Sequence, residues 1–149
     1  TYVNAPLTLE PTFETRRRKG LFFAGQMSGV EGYVESAASG LLAGLGASFR
    51  ARGEAPRALP EDTALGALGR YIARSDPEHY QPTNITFGIM EPIDDRSMPR
   101  MRAADGRRMS RKETRKLALS ERALADLERW IEAGETAPIA SDQLQTGPR

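Results

Sequence analysis

The chain has 149 residues, of which 39% are hydrophobic, and these values predict one domain with a modest core and polar ends. It contains no cysteine and one histidine, which excludes disulfides, a cysteine nucleophile and a multi-histidine metal site within these residues. The formal net charge is +1 and gives no argument for nucleic acid, and the lack of a long apolar run or leader predicts a cytoplasmic protein that does not span a membrane.

Residues 2–11 read as a short extended segment, because Pro6 and Pro11 each remove a backbone donor and bias the preceding residue away from helix. Since the segment reads as a strand already begun at Thr1, we expect the chain to be a piece of a longer protein. The apolar run at 21–24 lies between glycines and predicts a strand that is buried on both faces of a parallel sheet.

Three glycines, Gly25, Gly29 and Gly32, follow this run and lead into a helix predicted from Tyr33 to about Arg52. Apolar spacing predicts one buried helix face, made of Val34, Ala37, Ala38, Leu41, Leu42, Leu45 and Phe49. A strand, a glycine-rich turn and a helix N-terminus in this order can bring backbone N–H groups against an electron-rich ligand. The same order is equally typical of a tight strand-to-helix crossing without a ligand, and the dinucleotide fingerprint G-x-G-x-x-G is absent.

A second helix is predicted from Asp62 or Thr63 to Arg74 by the spacing of its apolar residues, which are Leu65, Leu68, Tyr71 and Ile72. Residues 79–92 are framed by prolines and carry uncommitted polar side chains, which is typical of a loop beside a pocket. The single histidine, His79, precedes an aromatic residue and is interpreted as a surface residue rather than a catalytic one.

Basic side chains concentrate in residues 96–116. Residues 94–109 have no periodicity and predict a mobile basic connection, and both a solvated linker and a phosphate-binding strip fit this composition.

The last predicted helix runs from Arg111 to about Ala133. Ser110 and Glu113 form a capping box at its start, and Gly134 is its predicted stop. Its predicted apolar face consists of Leu117, Leu124, Leu127, Trp130 and Ile131.

The segment 21–44 reads LFFAGQMSGVEGYVESAASGLLAG, and residues 80–88 read YQPTNITFG. Both closely resemble the carboxy-terminal flavin-binding segment of the folate- and FAD-dependent tRNA uracil-5-methyltransferase family. The resemblance includes residues 2–6 and 63–68, is dense over residues 1–93 and is looser beyond them. The tRNA carboxymethylaminomethyl-uridine flavoproteins share part of the pattern and are the alternative within flavoenzymes.

The resemblance implies an enzyme that takes a one-carbon unit from methylenetetrahydrofolate, reduces it with FAD and NAD(P)H, and places it on C5 of the T-loop uridine of tRNA. In that family an amino-terminal Rossmann half supplies the G-x-G-x-x-G, and a cysteine elsewhere takes part in methyl transfer. The resemblance therefore implies that this chain is the carboxy-terminal portion, contains no catalytic residue, and is inactive without the amino-terminal half.

The implied fold class is α/β, part of a glutathione-reductase-like FAD-binding fold of Rossmann type followed by helical carboxy-terminal elements, and incomplete on its own. The expected division is a carboxy-terminal part of the FAD-binding domain (1–53), a helix with a pocket-lining loop (54–93), a basic linker (94–109), a helix (110–134) and a disordered tail (135–149).

The resemblance also implies site residues. Those expected to wrap the ring end of FAD are Gly25, Gln26, Gly29, Val30, Glu31, Gly32 and Tyr33. The helix that starts near Tyr33 would direct its positive end to the flavin pyrimidine edge, although Tyr33 is also explained as an ordinary helix-cap aromatic. Candidates for a folate or uridine pocket are Gln81, Asn84 and Phe87, and candidates for tRNA contacts are Arg107, Arg108, Arg111 and Lys112. No metal is expected, and a non-enzymatic RNA-binding domain and an inactive relic are the other function classes.

Overall fold

The structure is a computed structural model and describes residues 2–94, Met98 and residues 101–135. Its helices are α1 (Ala5–Thr8), α2 (Tyr33–Ala51), α3 (Ala64–Arg74) and α4 (Arg111–Glu135), and a 3₁₀ turn covers Gly25–Ser28. The described residues contain no strand, only isolated bridges between Leu9 and Thr15, Glu14 and Phe22, Val30 and Thr83, and Arg102 and Arg108. The tail predicted at 135–149 falls outside the described residues except for Glu135.

The predicted strand at 21–24 is wrong for this chain. Phe22 makes one antiparallel bridge with Glu14, and Leu21 is 39% exposed instead of buried. A strand that is buried on both faces needs neighbouring strands to pair its backbone groups, and the described residues supply none. The α/β character is therefore not visible in this structure, which is mostly helical.

The predicted extended segment at 2–11 is also wrong in part, because α1 forms one helical turn within it. Pro6 lies at the start of this turn, where a missing N–H costs no hydrogen bond. The N–H of Leu9 donates to the carbonyl of Ala5 at 2.7 Å and closes the turn.

The core lies between α1, α3 and the residues that precede α2. Its buried members are Ala5, Leu9, Phe13, Val30, Leu68, Ile72 and Tyr80. Helix α3 is confirmed close to its predicted bounds, and the hydroxyl oxygen of Thr63 caps it by accepting from the N–H of Gly66 at 3.0 Å. A Cβ at Gly69 would collide with the carbonyl of Pro11, so glycine there lets α3 lie directly against that loop.

Helix α2 is confirmed over its predicted length, but its predicted single apolar face is wrong. Leu42 faces the core, whereas Val34, Leu41 and Leu45 are 78%, 63% and 46% exposed. Gly46 is buried, and a Cβ there would stand 2.6 Å from the ring of Phe22, so this packing requires glycine. The apolar residues of α2 are thus divided between a face packed on this chain and a face left uncovered by it.

The capping box of α4 is confirmed, since the N–H of Ser110 donates to Glu113 Oε2 at 2.8 Å and the N–H of Glu113 donates to Ser110 Oγ at 3.2 Å. The predicted stop at Gly134 is wrong, because the helix continues to Glu135. Gly134 lies against the guanidinium of Arg57, where a Cβ would collide, and this packing offsets the cost of about 1 kcal/mol for a helical glycine.

The predicted apolar face of α4 is correct only in part. Leu119 is buried, although it was not among the predicted positions, while Leu124 and Ile131 are exposed. Trp130 is held instead by polar contacts, because its Nε1 donates to the carbonyl of Ala58 at 2.8 Å and Arg57 lies 4.4 Å from its ring centroid.

The described part of the basic stretch has a defined backbone. The N–H of Ala103 donates to the carbonyl of Arg107 at 2.9 Å, and Gly106 takes a φ of +81° at the tip of the turn. Residues 101–109 therefore form a tight reverse turn, and the rest of the predicted linker lies largely outside the described residues.

Candidate functional site

Residues 25–32, here called the glycine turn, connect the bridge at Phe22 to α2. Gly25, Gly29 and Gly32 have φ values of +61°, +80° and +94°, a region that side chains disfavour. Inside the turn, the N–H of Gly29 donates to the carbonyl of Gln26 at 3.1 Å, and Ser28 Oγ donates to the carbonyl of Gly25 at 2.8 Å. The turn is therefore closed by hydrogen bonds among its own residues.

Packing inside the chain accounts for two of these glycines. A Cβ at Gly29 would collide with the ring of Tyr80, and one at Gly32 would collide with the carboxylate of Glu35. Gly25 has ordinary space around it, with Ser36 lying 3.7 Å from where a Cβ would stand, so its positive φ is what requires glycine. The sequence left two explanations of the glycine spacing, a tight strand-to-helix crossing and a ligand contact. The packing of these glycines supports the tight crossing.

The N-terminus of α2 is open to a ligand. Gly32 is its N-cap and has no side chain that could accept from the first-turn N–H groups. The next residue, Tyr33, is 98% exposed, and Glu31 and Val34 are exposed beside it. The N–H groups of the first turn and the positive end of a 19-residue helix favour an electron-rich or anionic group at this point, where the carboxylate of Glu35 already lies close to Gly32.

The predicted FAD residues differ in what they can offer. Val30 is fully buried in the core and presents no surface to a ligand, whereas Gln26 is exposed. Gly29 is buried behind Tyr80. The accessible members of the predicted set are therefore Gln26 and the residues from Glu31 to the start of α2.

The structure brings Asn84 to the glycine turn. The N–H of Thr83 donates to the carbonyl of Gly29 at 3.1 Å, and the N–H of Glu31 donates to the carbonyl of Thr83 at 2.9 Å. This pairing sets the side-chain nitrogen of Asn84 close to Gly32, 3.2 Å from where a Cβ would stand. Gln81, three residues before Asn84, is exposed. Of the three predicted pocket residues, Asn84 thus lies beside the predicted flavin residues.

The third predicted pocket residue, Phe87, lies away from the glycine turn. Its ring is 43% exposed and borders an apolar cavity of about 450 Å³ between the start of α3 and α4, whose walls include Leu65, Met90, Ala123 and Leu127. Neither Asn84 nor Gln81 lines this cavity.

The four predicted tRNA residues divide between two cavities. Arg107, Arg108 and Arg111 line one of about 460 Å³, and Lys112 lines another of about 390 Å³. Arg107 is already engaged, because its Nη2 lies 2.9 Å from Glu113 Oε1. The hydrogen bond from Arg107, with further bonds from Ser110, lowers the pKa of Glu113 to about 2.

Lys116 is a basic residue of this region that the sequence pattern did not single out. It lines the same cavity as Lys112, and its Nζ lies 5.4 Å from the centroid of Phe87. The signal was present, since lysines four residues apart share a face of a helix. The structure thereby joins a predicted pocket aromatic to the basic face of α4.

The remaining ionisable groups among the described residues give no second site. His79 Nδ1 lies 2.6 Å from Asp76 Oδ2, both side chains are exposed, and the bond from His79 lowers the pKa of Asp76. Within the described residues, histidine and carboxylate side chains nowhere assemble into a group that could hold a metal ion. In the same part of the chain, none of the helices has the length and apolar character needed to cross a membrane.

Comparison with known proteins identifies relatives of most of the chain. Residues 1–55 match the family described as glucose inhibited division protein A. The protein named methylenetetrahydrofolate–tRNA-(uracil-5-)-methyltransferase TrmFO from Symbiobacterium thermophilum is 49% identical over 139 residues, which cover 93% of this chain and 29% of that protein. Proteins of the same name from Streptococcus suis and Pelotomaculum thermopropionicum are 47% identical over 131 residues and 53% identical over 96. The chain spans less than a third of the length of these relatives.

Proposed function

We propose that this chain, a member of the folate- and FAD-dependent tRNA uracil-5-methyltransferase family, forms the carboxy-terminal part of an enzyme that makes 5-methyluridine in the T-loop of tRNA. The observation that carries the proposal is the 49% identity to the Symbiobacterium relative across 93% of the chain. The carbon donor would be methylenetetrahydrofolate, with NAD(P)H as the source of electrons. We expect the reaction in the cytoplasm.

The chain works only as one part of a longer polypeptide, which we call the full-length protein. Its relatives are more than three times as long as the matched region. The missing amino-terminal half would supply the G-x-G-x-x-G for the FAD pyrophosphate and the cysteine for methyl transfer, since the chain has neither. The chain alone should therefore be inactive.

The open N-terminus of α2 fits the ring end of FAD. Gly32 leaves the first-turn N–H groups uncapped, and the exposed Glu31 and Tyr33 flank them. FAD bound there would supply the electrons that reduce the transferred carbon. The task of this chain is to donate N–H hydrogen bonds and the positive helix end to the part of the ring that becomes negative on reduction.

The uncovered face of α2 explains how the chain would complete an α/β fold. Val34, Leu41 and Leu45 form an exposed apolar stripe on a helix whose other face is packed. In the full-length protein this stripe would pack on the FAD-binding domain, and the run at 21–24 would gain neighbouring strands. The FAD-binding fold of Rossmann type is thus proposed for the assembled protein.

Asn84 and Gln81 are proposed to face the folate or uridine beside the flavin. Asn84 lies at Gly32, so its amide is close to the end of α2 where the flavin ring is expected. An amide offers both a donor and an acceptor, which suits the edge of a pterin or a uracil.

The basic face of α4 is proposed to contact tRNA. Lys112 and Lys116 line one cavity with the half-exposed ring of Phe87, and Arg108 and Arg111 line the neighbouring one. Lysines would neutralise phosphates, and an exposed aromatic ring could stack on an unpaired base. Arg107 contributes less, because Glu113 already neutralises it.

The names of the relatives favour the methyltransferase over the tRNA carboxymethylaminomethyl-uridine flavoproteins. A purely RNA-binding fragment and an inactive relic remain as the outcomes that an experiment would reveal.

The experiment is a chimaera. The matched region of the Symbiobacterium relative is replaced by this chain, and the product is incubated with tRNA transcripts, methylenetetrahydrofolate and NAD(P)H. Formation of 5-methyluridine is measured by nucleoside analysis, with a transcript that carries cytidine at the target position as control. We expect product from the uridine transcript alone. A folded, FAD-containing chimaera that forms none would contradict the proposed function.

A further inference from the structure

The glycine turn lies against the segment that follows α3. Thr83 makes two backbone hydrogen bonds to it, at 3.1 Å to Gly29 and 2.9 Å to Glu31, which form the parallel bridge between Val30 and Thr83. A third backbone bond, from the N–H of Val3 to the carbonyl of Met27 at 2.9 Å, holds the turn from the other side, and side chains add to this backbone frame.

Tyr80 makes the side-chain contact at this point. Its hydroxyl donates a hydrogen bond of 3.0 Å to the carbonyl of Ser28, and both residues are buried. Burial, with Tyr71 and Tyr2 nearby, raises the pKa of Tyr80, so the hydroxyl stays protonated and remains a donor at neutral pH.

The ring of Tyr80 is held from two sides. The centroid of the Tyr2 ring lies 6.1 Å away in an edge-on arrangement, and that of Tyr71 lies 6.1 Å away at a tilt. Gly29 has a φ of +80°, and the Tyr80 hydroxyl occupies the space that a Cβ at Gly29 would need. The tyrosine and the glycine are therefore matched, and neither can change alone without moving the turn.

We propose that Tyr80 is a positioning residue for the flavin: its hydroxyl sets the path of the backbone from Ser28 to Gly32, and so the direction of the N–H groups at the start of α2. Tyr80 is buried and acts through the turn without touching the cofactor. The inference rests on the proposed function, because it assigns to the turn a flavin that the family implies.

The test compares Tyr80→Phe with Tyr71→Phe in the full-length protein. Tyr71 is the matched control, because its hydroxyl also donates to a loop carbonyl, that of Gln81, at 3.1 Å, but does not reach the turn. The measurements are the FAD dissociation constant, the visible absorption spectrum of the bound flavin and its midpoint potential. We expect Tyr80→Phe to weaken FAD binding about tenfold and to shift the spectrum and potential, and Tyr71→Phe to leave all three unchanged.

A Tyr80→Phe protein with the wild-type dissociation constant, spectrum and potential, and only a lower unfolding temperature, would overturn the inference. If Tyr80→Phe does not accumulate as folded protein, Gly29→Ala replaces it. This variant disturbs the same contact from the other side, and an unchanged flavin spectrum would overturn the inference equally. Absence of FAD from the wild-type protein would instead refute the proposed function.

Discussion

Glu14 and Arg50 are joined by two hydrogen bonds, from Nε and Nη2 of Arg50 to the two carboxylate oxygens of Glu14, at 2.7 and 2.8 Å. Glu14 is buried and also accepts from the N–H of Gly20 at 2.7 Å. The Arg50 hydrogen bond is the main cause that lowers the pKa of Glu14 to about 2. This pair ties the residues before the glycine turn to the last turn of α2, at the opposite end of that helix from the candidate site.

The first prediction concerns the pH dependence of stability. A carboxyl with a lower pKa in the folded state stabilises the fold above its unfolded pKa, and the effect is lost as pH falls through the folded value. For Glu14 this window runs from 4.5 down to about 2. Urea denaturation across the window should show a smaller loss of unfolding free energy in Glu14→Gln than in wild type. Glu113 also has a pKa of about 2, but it is present in both proteins and so contributes equally to both curves. Equal losses of unfolding free energy in Glu14→Gln and wild type would contradict the role given to Glu14.

At neutral pH, Glu14→Gln should lower the free energy of unfolding, because it removes a buried carboxylate and leaves Arg50 without its charged partner. Glu10→Gln is the control, since Glu10 and Arg16 form a partly exposed pair whose loss should cost less than about 1 kcal/mol. Similar losses in the two variants would show that burial of Glu14 contributes nothing.

The second prediction uses two glycines of α2. Gly46→Ala should destabilise the chain by about 1 to 3 kcal/mol, because a Cβ there meets the Phe22 ring at 2.6 Å. Gly44→Ala meets nothing within 4 Å and should stabilise the helix by up to about 1 kcal/mol. The measurement is urea denaturation of both variants, and a stabilising Gly46→Ala would contradict the packing described for α2.

The third prediction concerns the uncovered face of α2. Leu41→Glu combined with Leu45→Glu should prevent this chain from binding the separately produced amino-terminal half. Leu41 and Leu45 are 63% and 46% exposed, and the two variants place charges in the proposed apolar contact. Co-purification of the two parts measures the effect. Exposed residues elsewhere serve as the control, and Arg17→Glu should not interfere. Unimpaired co-purification of the double variant would place the contact on another surface.

The fourth prediction concerns tRNA. Lys112→Met with Lys116→Met in the full-length protein should weaken tRNA binding and reduce the slope of affinity against salt by about 1 for each phosphate that a lysine no longer neutralises. Lys19→Met removes the same charge at an exposed place outside α4 and should change neither quantity. Arg107→Ser should have a smaller effect than Lys112→Met, since Glu113 already pairs with Arg107. A salt slope unaffected by the double variant would contradict a tRNA role for this face.

Local chemistry made several elements predictable from the sequence. The Thr63 cap and the Ser110–Glu113 capping box act within a few residues, and helices α2 to α4 begin within about two residues of their predicted starts. The apolar run at 21–24 failed for the opposite reason, because a strand depends on partners far away in the chain or outside it. The same holds for α2, whose apolar periodicity predicts burial without saying which partner covers each side.

The part of the candidate site that is formed by backbone groups was predictable from the sequence. The glycine turn and the N-terminus of α2 follow from the spacing of Gly25, Gly29 and Gly32, although their packing reasons, Tyr80 and Glu35, lie elsewhere in the sequence or in the next helical turn. Lys116 was predicted only as part of the basic stretch, and Tyr80 only as part of segment 80–88. Their individual contacts were not predictable, because each depends on a residue distant in sequence, Phe87 and Ser28.

The central claim is that the start of α2 completes a flavin site with the missing half of the protein. The most direct measurement is the visible absorption spectrum after this chain is mixed with the separately purified amino-terminal half and FAD, followed by removal of free flavin. We predict a bound flavin spectrum from the mixture and none from this chain alone. A mixture in which the two parts associate without retaining flavin, or an amino-terminal half that gives the same spectrum by itself, would contradict the account.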